Sequence, residues 1–163
     1  MRLYLVRHAF AGQHGDPQYP DDALRPLTKK GRKRFRRVVK RLAKRDFAPT
    51  LVATSPLVRC RQTADVIVES ISPRSELVEQ NGLQPGSRLE ELVAWSNEQG
   101  GEEIAWVGHA PDVDRLLTAL IGGREGSLAF AKGAVAAIDF DDEEIVIGQG
   151  EMRWFVTPKV LGC

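Results

Sequence analysis

The chain has 163 residues, of which 42% are hydrophobic and 28% charged, and its formal net charge is +1. This is the composition of an ordinary globular protein, so we expect one domain over residues 1–163 with a sizeable core. No apolar run approaches the roughly twenty residues that cross a bilayer, and no secretion signal precedes the first strand, so we expect a cytoplasmic protein with no membrane partner. Its two cysteines, Cys60 and Cys163, are too few and too far apart to indicate a disulfide framework or a cysteine-based zinc site.

The first nine residues are a short apolar run that ends in the pair Arg7-His8. A run of this length predicts a buried strand rather than a helix, and ligands bind at the carboxyl ends of strands in open α/β sheets. The segment 11–26 that follows is rich in Gly, Pro and Asp, which predicts a loop over the end of the strand. We therefore expect a site at Arg7 and His8.

A strongly basic amphipathic helix is predicted next, with Thr28 as its N-cap and its end near Asp46-Phe47. The segment 29–45 carries eleven basic residues and no acidic one, which leaves a net charge of −10 for the rest of the chain. An imbalance of this size marks the helix as a candidate partner surface, although a solvated face is the simpler interpretation.

Strand and helix then alternate. Residues 50–54 predict a second strand, and Ser55-Pro56 are predicted as the N-cap and first residue of a second helix, which places Arg59 in its first turn. Glu103 to His109 repeats the opening pattern of an apolar strand ending in a histidine, and Ala110-Pro111-Asp112 begins another helix.

The remaining elements complete an α/β pattern. A short strand is predicted at 76–78, a helix from Leu89 to Ser96, and two further strands at 133–140 and 152–156. Alternation of this kind predicts a three-layer α/β sandwich, with a mostly parallel sheet covered by helices on both faces.

Four side chains fall at predicted strand ends or helix starts: Arg7, His8, Arg59 and His109. Arginine forks suit phosphate oxygens, and histidine can act as a covalent nucleophile. Neighbouring cations should lower the pKa of His8 and favour the neutral imidazole that attacks phosphorus. These residues predict a phosphoryl-transfer site, whereas His8, His14 and Asp16 have no distinctive metal-binding spacing.

Four sequence blocks in order resemble those of the histidine phosphatase superfamily, which has the phosphoglycerate mutase-like fold. The small size and the block variants are most similar to phosphohistidine phosphatases of the SixA type. The resemblance implies that His8 is the phosphorylated nucleophile, that Arg7, Arg59 and His109 form the phosphate pocket, and that no metal or cofactor is needed. The blocks are Arg7-His8-Ala9, Pro26-Leu27-Thr28 with Gly31, Ser55 to Arg59 running into Gln62-Thr63-Ala64, and Val107 to Asp112.

The chain departs from the family pattern at the general acid. Many relatives carry glutamate where this chain has Gly82, and Glu79 and Asp22 are the nearby alternatives. An imidazole protonated on its other nitrogen leaves phosphorus as a neutral molecule, so phosphohistidine needs less help from an acid than a phosphate ester does. Gly82 therefore favours phosphohistidine as the substrate.

The resemblance implies a signalling enzyme whose partner is a phosphorylated protein, for instance a histidine-containing phosphotransfer domain. A phosphatase of small phosphate esters is the first alternative, and a phosphoprotein-binding module with poor turnover is the second. The basic helix 29–45 would steer an acidic phosphoprotein toward the pocket. Binding of nucleic acid through its phosphates is the less favoured interpretation.

Overall fold

The alternating strands and helices build a central sheet with helices packed on both faces. The computed structural model describes residues 1–71, 73–100, 103–124, 126 and 128–163. The strands in this part of the chain are β1 (Arg2–Arg7), β2 (Leu51–Thr54), β3 (Glu76–Glu79), β4 (Glu103–Gly108), β5 (Val135–Asp139) and β6 (Glu151–Val156). The α-helices are α1 (Lys29–Leu42), α2 (Val58–Ser70), α3 (Leu89–Glu98) and α4 (Asp112–Leu120). Short 3₁₀ turns lie at Asp22–Leu24, Ala43–Arg45 and Asn81–Leu83.

The sheet has the strand order β3-β2-β4-β1-β5-β6. Strands β3, β2, β4 and β1 are mutually parallel, whereas β5 is antiparallel to both β1 and β6. The predicted fold class, a mostly parallel sheet covered on both faces, is therefore confirmed. Parallel strands of this kind are buried on both faces, which explains why the interiors of β1 and β4 read as unbroken apolar runs.

Alternate side chains of β1 enter two separate core clusters. Tyr4 and Val6 pack with the buried faces of α1 and α2, and Leu3 and Leu5 pack with those of α3 and α4. All four side chains are fully buried. Burial of a large apolar side chain stabilises the fold by about 1.5–3 kcal/mol, so β1 is held firmly between the two layers. The end of this strand is consequently a rigid base for Arg7 and His8.

The predicted helix starts and ends are partly confirmed. Thr28 caps α1, because its Oγ1 accepts a hydrogen bond from the Gly31 amide at 2.9 Å. The α-helix ends at Leu42 rather than near Asp46-Phe47, since a 3₁₀ turn follows and Asp46 adopts the left-handed conformation, with φ of 65°.

The predicted cap at Ser55 is wrong. Helix α2 begins at Val58 after an extended Leu57, so Ser55-Pro56 lies ahead of the helix and Ser55 is available for another contact. None of the helices in the described ranges combines the length and the apolar character that a membrane crossing requires.

Gly31 ties the loop after β1 to the start of α1. The Thr28 amide donates to the Phe10 carbonyl at 3.0 Å, and a Cβ atom on Gly31 would overlap that same carbonyl oxygen. A larger residue would therefore push the loop away from the helix. This contact explains the spacing of the block that contains Leu27, Thr28 and Gly31.

Candidate active site

The register of the two central strands brings the two strand-end histidines together. β1 and β4 are parallel with Arg7 opposite Gly108, and the His8 amide donates to the Gly108 carbonyl at 3.0 Å. The His8 and His109 ring centroids lie 5.5 Å apart, and both side chains are buried. The predicted pairing of these residues at one edge of the sheet is thus present in the structure.

The backbone fixes the protonation state of His8. Its Nδ1 lies 2.8 Å from the Ala9 carbonyl oxygen, and because a carbonyl only accepts, Nδ1 must donate. Burial first, and then the charges of His109, Arg59 and Arg7, lower the pKa of His8 to about 3. The imidazole is therefore neutral at pH 7, with its lone pair on Nε2, which is the form a nucleophile requires.

A short relay connects His8 to helix α2. The Ala9 amide donates to Thr63 Oγ1 at 3.0 Å, and Thr63 Oγ1 donates to the Arg59 carbonyl at 2.7 Å. The φ of Ala9 is not in the left-handed region, so its Cβ is accommodated there. Thr63 thus holds the turn after His8 against the first turn of α2.

Arg7 and Arg59 are both held by backbone carbonyls. Arg7 Nη1 donates to the Phe130 carbonyl at 2.5 Å, and Arg59 Nη1 donates to the Asp22 carbonyl at 2.8 Å. In the described residues, the buried Nε of each guanidinium has no hydrogen-bond partner within the protein. Burial lowers the pKa of both groups, but an arginine starts so high that it stays charged. Buried donors of this kind fit the oxygens of an anionic group.

His109 contacts a hydroxyl that the sequence reasoning assigned elsewhere. Its Nε2 lies 3.0 Å from Ser55 Oγ and 3.4 Å from Cys60 Sγ. Burial first, and then the charge of Arg59, lower the pKa of His109 to about 4, so this ring is also neutral at pH 7. Cys60 is buried, and burial raises its pKa to about 12, which keeps it a neutral thiol beside His109.

Asp22 belongs to a charged cluster that also includes Arg25, which the sequence reasoning missed. Arg25 Nε donates to Asp22 Oδ1 at 2.7 Å, and Arg59 Nη1 lies 3.1 Å from Asp22 Oδ2. The exposed His14 adds a contact of 2.9 Å to Asp22 Oδ1. The hydrogen bond from Arg25, then the hydrogen bond with His14 and the charge of Arg59, holds the pKa of Asp22 well below its usual range. Asp22 is therefore ionised at neutral pH and has no proton to donate.

The other positions considered for a general acid are also engaged or blocked. Glu79 lies at the end of β3, is half-exposed, and accepts a hydrogen bond from Arg61 Nη1 at 2.8 Å. A Cβ atom on the buried Gly82 would lie 3.0 Å from Leu92 Cδ2. A side chain at this position would therefore be crowded by the core. The glycine at position 82 is therefore matched by close packing that leaves little room for a larger side chain.

Asp114 supports Arg7 through the loop that follows α4. Asp114 Oδ1 accepts a hydrogen bond from the Phe130 amide at 2.7 Å, and the Phe130 carbonyl accepts a hydrogen bond from Arg7. Asp114 also has a favourable charge interaction with Arg7. The helical periodicity of the sequence does not predict this role of Asp114, because the contact joins α4 to a residue in a loop.

The described side chains thus place two fixed cations and two neutral histidines around one edge of the sheet. In the same ranges, no three His, Cys, Asp or Glu side chains form a group that could hold a metal ion. An acceptor-only Nε2 next to two guanidinium groups can attack an electrophile whose charge the arginines stabilise. The chemistry of the site fits an anion such as a phosphoryl group.

Residues 3–91 match the family model of the histidine phosphatase superfamily, branch 1. An uncharacterised protein of Picosynechococcus sp. is 33% identical over 130 residues, which cover 77% of this chain and 76% of that protein. The phosphohistidine phosphatase SixA of Escherichia coli strain K12 is 25% identical over 162 residues, covering 97% of this chain and 94% of that protein.

The fold is similarly shared with solved structures. The protein histidine phosphatase SixA complexed with tungstate superposes with a TM-score of 0.84 at 23% identity, over 99% of both chains. The alpha-ribazole phosphatase of Shigella flexneri shares the fold at a TM-score of 0.68 and 20% identity, over 91% of this chain and 96% of that one. The family match shows that the chain belongs to branch 1 of the histidine phosphatase superfamily, and the whole-chain likeness to SixA shows that the two proteins share one fold.

Proposed function

We propose that the chain is a metal-independent phosphatase that works through a phosphohistidine formed on His8 and acts on phosphohistidine in a protein. The observation that carries the proposal is the hydrogen bond from His8 Nδ1 to the Ala9 carbonyl, which leaves Nε2 as the free lone pair. The proposed phosphate pocket consists of Arg7, Arg59 and His109. This assignment is supported by the free Nε groups of the two arginines and by the nearness of the two imidazoles.

In the first step, His8 Nε2 attacks the phosphorus atom of the substrate and the bond from phosphorus to the substrate imidazole breaks. The substrate imidazole is protonated on its other nitrogen, so it leaves as a neutral molecule and takes the electron pair of the broken bond. His8 becomes a phosphorylated imidazolium whose Nδ1–H remains bonded to the Ala9 carbonyl. Arg7 and Arg59 stabilise the charge on the phosphoryl oxygens as it is transferred.

In the second step, water attacks the phosphorus on His8, and neutral imidazole again leaves. The products are free His8 and dihydrogen phosphate, so the water protons end on the phosphate and no protein group has to accept them. Both leaving groups are imidazoles in this scheme. In both steps a nucleophile therefore displaces imidazole from phosphorus, first from the substrate and then from phosphorylated His8.

The ionised state of Asp22 supports phosphohistidine over a phosphate ester as the substrate. An alkoxide leaving group wants a proton from an acid, and Asp22 is held without one by Arg25 and Arg59. The likeness to the phosphohistidine phosphatase of Escherichia coli points the same way. The alternative, a phosphatase of small phosphate esters, rests on the fold shared with alpha-ribazole phosphatase. The expected cytoplasmic location and single-domain organisation stay predictions.

A trapping experiment tests the proposed nucleophile. The protein is mixed with free radiolabelled phosphohistidine, quenched within milliseconds and analysed for protein-bound phosphate. We expect an acid-labile, base-stable label in the parent and none in His8→Ala, because only a nitrogen–phosphorus bond has that stability profile. Equal labelling of His8→Ala would overturn the mechanism.

Turnover measurements separate the substrate alternatives. We expect the rate of phosphate release to be higher from phosphohistidine than from an alkyl phosphate ester of similar size, over many turnovers and in the presence of a chelator. Faster release from the ester would favour the small-ester alternative. A stable label with release limited to one equivalent would identify a binding module instead.

A further inference from the structure

Helix α1 presents cations to solvent along its whole length. Its buried stripe consists of Gly31, Phe35, Val38, Val39 and Leu42. With 100° of rotation per residue, the face opposite that stripe holds Lys29, Lys33, Arg37 and Lys40, and all four side chains are exposed. We call these four residues the basic face.

Three neighbouring arginines of α1 are already engaged, and Arg37 of the basic face donates to the Gly162 carbonyl at 3.2 Å, whereas the lysines of the basic face have no such partner among the described residues. Arg32 and Arg36 pair with Glu69 at 3.1 and 2.5 Å, and Arg34 donates to the Cys163 carbonyl. Within the described part of the chain, Lys29, Lys33 and Lys40 have no carboxylate within 4.0 Å. Unpaired like charges along a helix repel one another, so this arrangement weakens the isolated helix. An anionic partner would offset that repulsion.

The basic face begins at the mouth of the candidate active site. The amide of Thr28, the residue before Lys29, donates to the carbonyl of Phe10, which lies two residues after His8. The Lys132 ammonium lies 4.5 Å from the centroid of the Phe10 ring and interacts electrostatically with Arg7. Positive charge therefore continues from Arg7 through Lys132 to the start of α1. From there the helix extends for about 21 Å, at 1.5 Å per residue.

Two apolar side chains flank the same mouth. Phe10 is 51% exposed and Leu24 is 58% exposed, and Leu24 follows closely on Asp22, which contacts Arg59. Protein interfaces combine an apolar centre with a charged rim. Phosphate backbones, in contrast, are recognised by cations and hydrogen-bond donors and give apolar groups little to contact. The combination favours a protein partner over a nucleic acid.

We infer that the basic face docks an acidic surface of the phosphorylated protein substrate, while Phe10 and Leu24 contact it beside the phosphorylated histidine. This inference rests on the proposed function and adds to it the charge of the partner and the surface that receives it. The acidic residues of the protein substrate should lie within about 20 Å of its phosphohistidine, because this is the length of α1. Such steering raises the rate of encounter and is screened by salt.

Two synthetic peptides test the inference. Each carries phosphohistidine near its N-terminus and is about eight residues long, so that an extended chain covers the length of α1. One has six glutamates directly after the phosphohistidine and the other has six glutamines. For the parent at low salt, we expect KM to be about tenfold lower for the glutamate peptide, with similar kcat. We also expect this preference to fade toward 1 M salt.

The variant Lys33→Gln/Lys40→Gln removes the centre of the basic face. We expect it to raise KM for the glutamate peptide about fivefold, because two exposed charge interactions are lost, and to leave kcat unchanged. The matched control is Arg74→Gln/Arg153→Gln, which removes the same charge near the two edge strands β3 and β6. The control should keep the parent's KM, and both variants should keep the parent's turnover of free phosphohistidine.

Equal KM values for the two peptides in the parent would overturn the inference. It would also be overturned if duplex DNA bound the parent more tightly than the glutamate peptide and lost that affinity in Lys33→Gln/Lys40→Gln. Absence of turnover on free phosphohistidine would contradict the proposed function instead. The docking surface would then still be tested by the fluorescence anisotropy of labelled glutamate and glutamine peptides that lack the phosphoryl group.

Discussion

Ser55 Oγ lies 3.0 Å from His109 Nε2, and this contact gives the serine a role that is separate from the start of α2. Both groups are buried, so replacement by alanine removes one of the fixed contacts of the imidazole. We expect Ser55→Ala to lower kcat/KM for free phosphohistidine about tenfold, since a misplaced catalytic group loses its alignment. The free energy of unfolding should fall by about 1 kcal/mol, because the buried His109 Nε2 and the Leu57 amide each lose a hydrogen-bond partner.

Steady-state kinetics and thermal unfolding of the same sample check this expectation together. A purely structural role would lower stability by a similar amount but leave the kinetics unchanged. Lowered kcat/KM is therefore the diagnostic result. The matched control is Ser87→Ala, which removes an exposed hydroxyl that donates to the nearby Gln84 carbonyl.

The sequence predicts the positions of Arg7, His8 and His109 because strand ends can be recognised from apolar runs. It does not predict that Ser55 faces His109, or that Arg25 and Arg59 share Asp22, since these contacts join segments that are distant along the chain. The same holds for Asp114, which acts on Arg7 through Phe130. Strand-end chemistry is local, whereas its support depends on how the elements pack.

Helix α1 depends on glycine at a position where a helix ordinarily prefers alanine. Replacing an exposed helical glycine by alanine stabilises a protein by about 1 kcal/mol. At Gly31, however, the added Cβ would overlap the Phe10 carbonyl oxygen and lie 2.9 Å from its carbon. We expect Gly31→Ala to destabilise the protein by about 2–3 kcal/mol, as overpacking against a backbone usually does. A loss of stability would show that this contact dominates, because helix propensity alone would make the alanine variant more stable.

Urea unfolding of Gly31→Ala and of the control Lys30→Ala measures this difference. Lys30 occupies the preceding position of the same helix turn and is exposed, so its replacement should change stability by less than about 0.5 kcal/mol. Gly31→Ala should also lower kcat, because Phe10 lies two residues from His8. A stability gain in Gly31→Ala would show that the loop moves away from α1 at no cost.

At the level of elements, the apolar periodicity predicts the strands and helices but not all of their ends. The α1 start is predictable because Thr28 carries its own cap, whereas the end near Leu42 depends on a 3₁₀ turn and a left-handed Asp46. The start of α2 is misread because Ser55-Pro56 has the composition of a cap, while packing directs the serine to His109. Local preference yields there to a tertiary contact.

For the whole molecule, burial of two neutral histidines makes stability depend on pH. The pKa of His8 falls from 6.5 to about 3 and that of His109 from 6.5 to about 4 on folding. The unfolded chain therefore binds more protons than the folded one below pH 6.5, and stability falls as the pH drops toward the folded values. At pH 5 the loss should approach about 2 kcal/mol for each histidine relative to pH 7.5.

Urea unfolding at about pH 7.5 and pH 5 measures this loss, and His109→Gln isolates one half of it. Glutamine keeps a polar side chain beside Ser55 but cannot titrate, so we expect the stability difference between the two pH values to shrink by about 2 kcal/mol in the variant. The comparison uses the change with pH, so any uniform effect of the substitution on stability cancels. A variant that loses as much stability as the parent at pH 5 would mean that folding leaves the pKa of His109 near its ordinary value of about 6.5. His109 would then become a third cation of the phosphate pocket below that pH, and its role in acid would shift from a neutral hydrogen-bonding group to an electrostatic clamp.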